Sequence, residues 1–221
     1  MYRSKKYYKP IFEIMKKQTK KTSDNRIVYL DNDEITDPIK VVNDFFSHSC
    51  LPNHLKMLKR WRNDAALESE ESKKCSPAYL VYNYELTIKL IEAAWLLKSH
   101  KLARLDFDDK QQSDIAKWYI KTERKKLRDY PENLSIREIV KPSSVLKKMF
   151  RIYKLDGYKK ILNTWLHEAL ITSFMEESLS KSEVIKVYEQ LVKLFEATWL
   201  ISERIKDGNK TLFSVPTERT A

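Results

Sequence analysis

The feature that most constrains this chain is an internal repeat at a fixed offset of 104 residues. Residues 34–97 align with 138–201 without a gap, from EITDP (34–38) over EIVKP (138–142) to YELTIKLIEAAWLL (84–97) over YEQLVKLFEATWLI (188–201). About a third of the positions are identical, and the matches include Trp61/Trp165, Tyr84/Tyr188 and Trp95/Trp199, residue types too scarce to coincide easily. Self-similarity at a fixed period predicts one supersecondary unit occurring twice. The domains expected are residues 1–104, residues 105–207 and a C-terminal tail, 208–221.

Each unit reads as four helices, so the chain is expected to be all-α, a helical bundle or a short helical stack. Only two glycines occur in 221 residues, which leaves little turn chemistry for β-hairpins. The helices are expected near 8–21, 38–49, 53–68 and 78–99, and again near 111–128, 142–154, 157–173 and 181–204. Asp37-Pro38 and Ser76-Pro77 each place a side-chain acceptor before a residue suited to the first helical turn. Ser180 with Glu183 reads as a capping box.

The fourth helix of each unit carries the clearest periodicity. Val81, Tyr84, Ile88, Ile91 and Trp95 follow 3-4-3-4 spacing, and Ile185, Tyr188, Val192, Phe195 and Trp199 repeat it. A second row, Leu86, Leu90, Ala93 and Leu97, makes this the central helix of its unit. With the third-helix stripes Leu58, Trp61, Ala65 and Leu162, Trp165, Ala169, the repeat-equivalent core is expected to hold Phe46, Trp61, Tyr84 and Trp95, matched by Phe150, Trp165, Tyr188 and Trp199.

Several function classes find no support. No apolar run reaches the roughly 18 to 20 residues that span a bilayer, and residues 1–17 lack the unbroken hydrophobic stretch of a signal peptide. Cys50 and Cys75 have no CxxC spacing and read as free thiols, so a cytoplasmic location is expected. No phosphate-binding loop, dinucleotide fingerprint or serine nucleophile elbow is present. His48, His54 and His100 lack zinc spacing. Neither cofactor nor metal is expected, and the chain reads as non-enzymatic. Two polar sets stand against that. Glu85, Lys89 and Glu92, with Glu189, Lys193 and Glu196, could form a carboxylate metal site in a helical bundle, although Glu85 and Lys89 have the spacing of a surface ion pair. Asn63-Asp64 and His167-Glu168 follow the paired tryptophans and could line a cleft.

Charge carries the functional expectation. Of a net +11, residues 1–26 hold +7 and residues 98–128 hold +5, at equivalent places in the two units. Lys16, Lys17, Lys20 and Lys21, with Tyr2, Tyr7 and Tyr8 nearby, form one basic first helix. Lys117, Lys121, Arg124, Lys125 and Lys126, with Trp118 and Tyr119, form the other. Such sets suit phosphates and stacked bases, so nucleic acid is the first candidate partner. An acidic protein, or a scaffold role with self-association through the duplicated tryptophan surfaces, is the alternative.

Overall fold

The structure, a computed structural model, describes residues 26–66, 75–99, 112–170 and 180–206. Among these it is 82% helical with no strand. In chain order the helices are α1 (Asn32–Thr36), α2 (Pro38–His48), α3 (Leu51–Ala66), α4 (Pro77–Leu97), α5 (Gln112–Lys126), α6 (Ile136–Val140), α7 (Ser143–Ile152), α8 (Leu155–Leu170) and α9 (Lys181–Lys206). The all-α fold is as expected. The expected helix at 8–21 and the tail at 208–221 lie outside the described residues.

Local chemistry sets the helix starts. Asp31 and Glu34 close a capping box on α1, and Ser135 and Glu138 close another on α6. Asp37 accepts from the Lys40 amide ahead of Pro38, and Ser76 accepts from the Tyr79 amide ahead of Pro77. Ser180 and Glu183 exchange backbone and side-chain hydrogen bonds at 3.1 and 3.3 Å, as the spacing predicts. The two short helices are absent from the sequence reading, because five residues show no helical period. α3 and α8 begin two residues earlier than expected.

Helices α1 to α4 start at residues 32, 38, 51 and 77, and α6 to α9 at 136, 143, 155 and 181. Three of the four pairs stand 104 residues apart, and the α2/α7 pair 105. The packing crosses between the halves: α3 lies on α8 and α9, and α8 lies on α3 and α4, while α2 packs on α4 and α7 on α9. The third helix of each half therefore covers the fourth helix of the other. A single hydrophobic cluster runs through both halves, from Leu30 to Ile201.

The expected core holds in most places. Trp61 and Trp165 are fully buried, and Tyr84, Phe150 and Trp199 are buried as well. Phe46, Trp95 and Tyr188 are only half-buried, packed against the cluster. Phe46 lies beside the buried Phe45, which takes the core position at 3% exposure and meets Phe195 at 5.1 Å. Trp95 sits where α4 ends, with Phe150 at its edge and the Lys98 ammonium over its face. Tyr188 is covered on one face by the Arg62 guanidinium, 4.4 Å from the ring centroid. The expected stripes also begin one residue out of register. Val81 and Ile185 are exposed, whereas their neighbours Leu80 and Val184 are buried.

Candidate functional site

Helix α5 turns one side to the protein and the other to solvent. Ala116, Tyr119 and Glu123 are buried, whereas Lys117, Trp118, Lys121, Arg124 and Lys125 are exposed. At 100° per residue those five occupy an arc of about 120°. Arg128, just past the helix end, is exposed too. Lys126 is exposed but lies about 180° around the helix from Lys117, so it leaves the expected set. Trp118 is 59% exposed, the largest exposure among the exposed hydrophobic residues described. Lys117 pairs with Asp114 at 3.3 Å in full solvent, an interaction of little energetic weight.

The inner side of α5 is fixed by a buried ion pair. Glu123 is 1% exposed and Arg204 of α9 is 4% exposed. Arg204 Nε and Nη2 donate to the two Glu123 oxygens at 2.7 and 2.8 Å, and Nη1 donates to the Ile139 carbonyl at 2.8 Å. The hydroxyls of Tyr130 and Tyr119 also donate to Glu123, at 2.6 and 3.2 Å. Burial alone would lower the Arg204 pKa, but the Glu123 carboxylate outweighs it and raises the value. Burial, reinforced by the charge of Glu123, pushes the Tyr130 phenol far up, so it remains a donor. A buried pair tolerates the loss of hydration only when its remaining hydrogen-bonding capacity is met, as here. The result is a rigid mount that holds the basic face outward.

Glu85 and Glu189 are exposed, but Glu92 and Glu196 are buried and belong to no surface strip, and the expected Glu85–Lys89 pairing is replaced by another. Lys89 pairs instead with Glu34 at 2.8 Å, and Lys193 with Glu138 at 2.8 Å. Glu92 is fully buried and accepts from the amides of Val28, Tyr29 and Leu30 at 2.9, 2.8 and 3.1 Å, with the Lys159 ammonium at 2.6 Å. Glu196, 1% exposed, accepts from the amides of Glu132 and Asn133 at 3.0 and 2.9 Å and from the Asn133 side chain at 2.7 Å. Each carboxylate ties the segment before its short helix to the central helix. Among the described residues no three His, Cys, Asp or Glu side chains converge as a metal-binding group.

The other candidates take structural positions. Asp64 is buried and accepts from the Cys75 amide at 2.9 Å, joining the ends of α3 and α4. His54 is buried, stacks on Phe45 at 4.0 Å and donates from Nε2 to the Phe45 carbonyl at 2.9 Å. Tyr158, 104 residues on, donates its hydroxyl to the Met149 carbonyl at 3.0 Å. His48 is exposed, with Nδ1 2.6 Å from the Asp44 carbonyl. His167 is half-buried, and burial lowers its pKa. Lys16, Lys17, Lys20 and Lys21, like His100, lie outside the described residues.

Sequence reasoning missed Glu123 and Arg204, which lie 81 residues apart. The available signal was Glu123 as an acid set among the bases of residues 117–126. Among the described residues, no helix is long and apolar enough to cross a membrane. No protein-family model, curated protein or solved structure matches this chain.

Proposed function

We propose that the chain binds single-stranded nucleic acid along the outer face of α5, with Lys117, Lys121, Arg124 and Lys125 on phosphates and Trp118 stacked against a base. The observation that carries this reading is Trp118, 59% exposed within an arc of four cations. A face meant only for solubility gains nothing from an exposed indole. Every base has a π-face, and stacking on an aromatic side chain contributes about 1–3 kcal/mol per base. The buried Glu123–Arg204 mount supports the reading, since a fixed helix presents its charges in one register. In this account the protein is a non-enzymatic binding protein of the cytoplasm.

The basic residues of 8–21 extend the same chemistry if the halves are copies. The unbroken 104-residue offset supports duplication, as do the equivalent Glu34–Lys89 and Glu138–Lys193 pairs. Fluorescence titration with a short oligothymidylate tests the function. Binding should quench indole emission, and Trp118→Ala should weaken it by about 1–3 kcal/mol without changing the fold. Absence of binding by the wild-type chain near physiological salt would end the proposal. A protein-partner reading draws on a different surface, Tyr79 and Tyr82, exposed three residues apart on one face at the start of α4. Salt-insensitive association lost in Tyr82→Ser would favour it.

A further inference from the structure

We infer that the cleft between α3 and α9 is a binding site for a nucleoside 5′-phosphate. Its volume is about 500 Å³, within the range of small-molecule sites. Leu55, Val192 and Tyr188 form apolar walls, and Lys56, Lys59 and Glu189 stand at the rim.

The lining of the cleft differs from its repeat equivalents at four positions, Leu55/Lys159, Lys59/Asn163, Asn133/Tyr29 and Val192/Ile88, and the first and third of these leave the space open. Lys159 occupies the place in α8 that Leu55 occupies in α3, and Tyr29 precedes α1 as Asn133 precedes α6. In the first half Lys159 reaches the buried Glu92, and Tyr29 packs edge to face on Tyr84 with centroids 6.3 Å apart. Beside Tyr188 the equivalent places are taken by a leucine from α3 and an asparagine before α6. Asn133 turns its amide to Glu196 at 2.7 Å, so Glu196 is satisfied without a lysine and Leu55 is left to line the space.

The lining defines the ligand. The apolar side chains of Leu55, Val192 and Tyr188 suit a flat heterocycle, and the Arg62 guanidinium holds the Tyr188 ring from one side, 4.4 Å from its centroid. Lys56 and Lys59 are exposed and one helical turn apart, suited to one phosphate. Lys193 is already paired with Glu138 and adds no net charge. Glu189 can accept only from hydroxyl or amine hydrogens, which a ribose or an amino-substituted base supplies. A purely apolar ligand would leave the lysines unused, and inorganic phosphate would leave the walls unused. The ligand is either a free nucleotide or the 5′-terminal nucleotide of a strand.

Isothermal titration of the full chain with adenosine 5′-monophosphate, adenosine and inorganic phosphate tests this. The nucleotide should bind at least about ten-fold more tightly than either fragment. The double variant Lys56→Glu/Lys59→Glu, exposed at both positions, should lose about ten-fold or more in affinity at an unchanged thermal midpoint. Leu55→Trp should abolish binding by filling the cleft; should that variant not fold, the double variant decides alone. A 5′-phosphorylated oligonucleotide that binds more tightly than its 5′-hydroxyl form, with the preference lost in the double variant, identifies a strand end as the source. Monophosphate binding without that preference identifies the free nucleotide. Lys121→Gln/Lys125→Gln should leave monophosphate binding intact, which separates this site from the α5 face. No monophosphate binding at about 1 mM, or binding indifferent to the double variant, would overturn the inference.

Discussion

Trp61 and Trp165 meet edge to face at the centre of the molecule, their ring centroids 5.7 Å apart and their planes at 90°. Both are fully buried, and neither indole N–H has a hydrogen-bond acceptor among the described residues. A T-shaped pair turns the positive edge of one ring to the negative face of the other, which offsets part of the cost of an unpaired N–H. Replacing either with alanine should cost about 3–5 kcal/mol in urea unfolding, and the double-mutant cycle should show about 0.5–1.5 kcal/mol of coupling. Trp95→Ala should cost less than either, because that ring is half-buried. Equal losses at all three positions would contradict the crossed packing of α3 and α8.

The mount beneath α5 yields a second prediction. Arg204→Met leaves Glu123 buried and uncompensated, at a cost of about 3–5 kcal/mol. Combining it with Glu123→Leu should recover part of that loss, because two apolar groups replace a broken pair. Hydrogen exchange should show α5 losing protection in Arg204→Met before α3 or α8 does. Uniform loss across all helices would show that the pair holds the whole fold and not α5 alone.

Stability should decline in mild acid through His54. Burial lowers its pKa below 6.5, so the unfolded chain takes up a proton that the folded chain resists. Its contribution is complete above the unfolded value and is lost as pH falls from about 6.5 through the lower folded value. His167 acts in the same direction, its pKa also lowered by burial. His54→Tyr installs the residue found at position 158, which reaches the corresponding carbonyl through its hydroxyl. That variant should flatten the thermal midpoint between about pH 6.5 and 5. A slope as steep as wild type would move the effect to other groups.

The two thiols should react at very different rates. Cys50 is exposed, whereas burial, with Asp64 beside it, pushes the Cys75 thiol up to about 11. At pH 8 Cys75 is then about a thousandth thiolate, and the thiolate is the reactive form. A thiol-specific reagent should label Cys50 first, as mass spectrometry of the modified peptides would show. Prompt labelling of both would contradict the Asp64 contact.

The 104-residue offset, the caps at Asp37, Ser76 and Ser180, and burial of Trp61 and Trp165 were legible because each follows from nearest-neighbour chemistry or from a period. The crossing of α3 onto α9 was not legible, since an amphipathic stripe records that a face is covered but not which helix covers it. Glu92 and Glu196 were misjudged for a related reason. A carboxylate at helical spacing from a lysine reads as a surface pair, and nothing local reveals backbone amides 60-odd residues away that bury it. The α5 face was legible in its cations. Trp118 was legible with them, whereas the inward turn of Tyr119 onto Glu123 and the buried mount were not, because both depend on which side of the helix the fold covers.

The central claim is most directly tested by the salt dependence of single-strand binding. Plotted as log K against log salt, each phosphate contact to a single strand contributes a slope of about −0.7. The variant Lys117→Gln/Lys121→Gln/Arg124→Gln/Lys125→Gln removes four cations from one exposed face and should reduce the slope by about 3 with no change in thermal midpoint. An unchanged slope, or a wild-type chain that does not bind near physiological salt, would contradict nucleic-acid binding through α5.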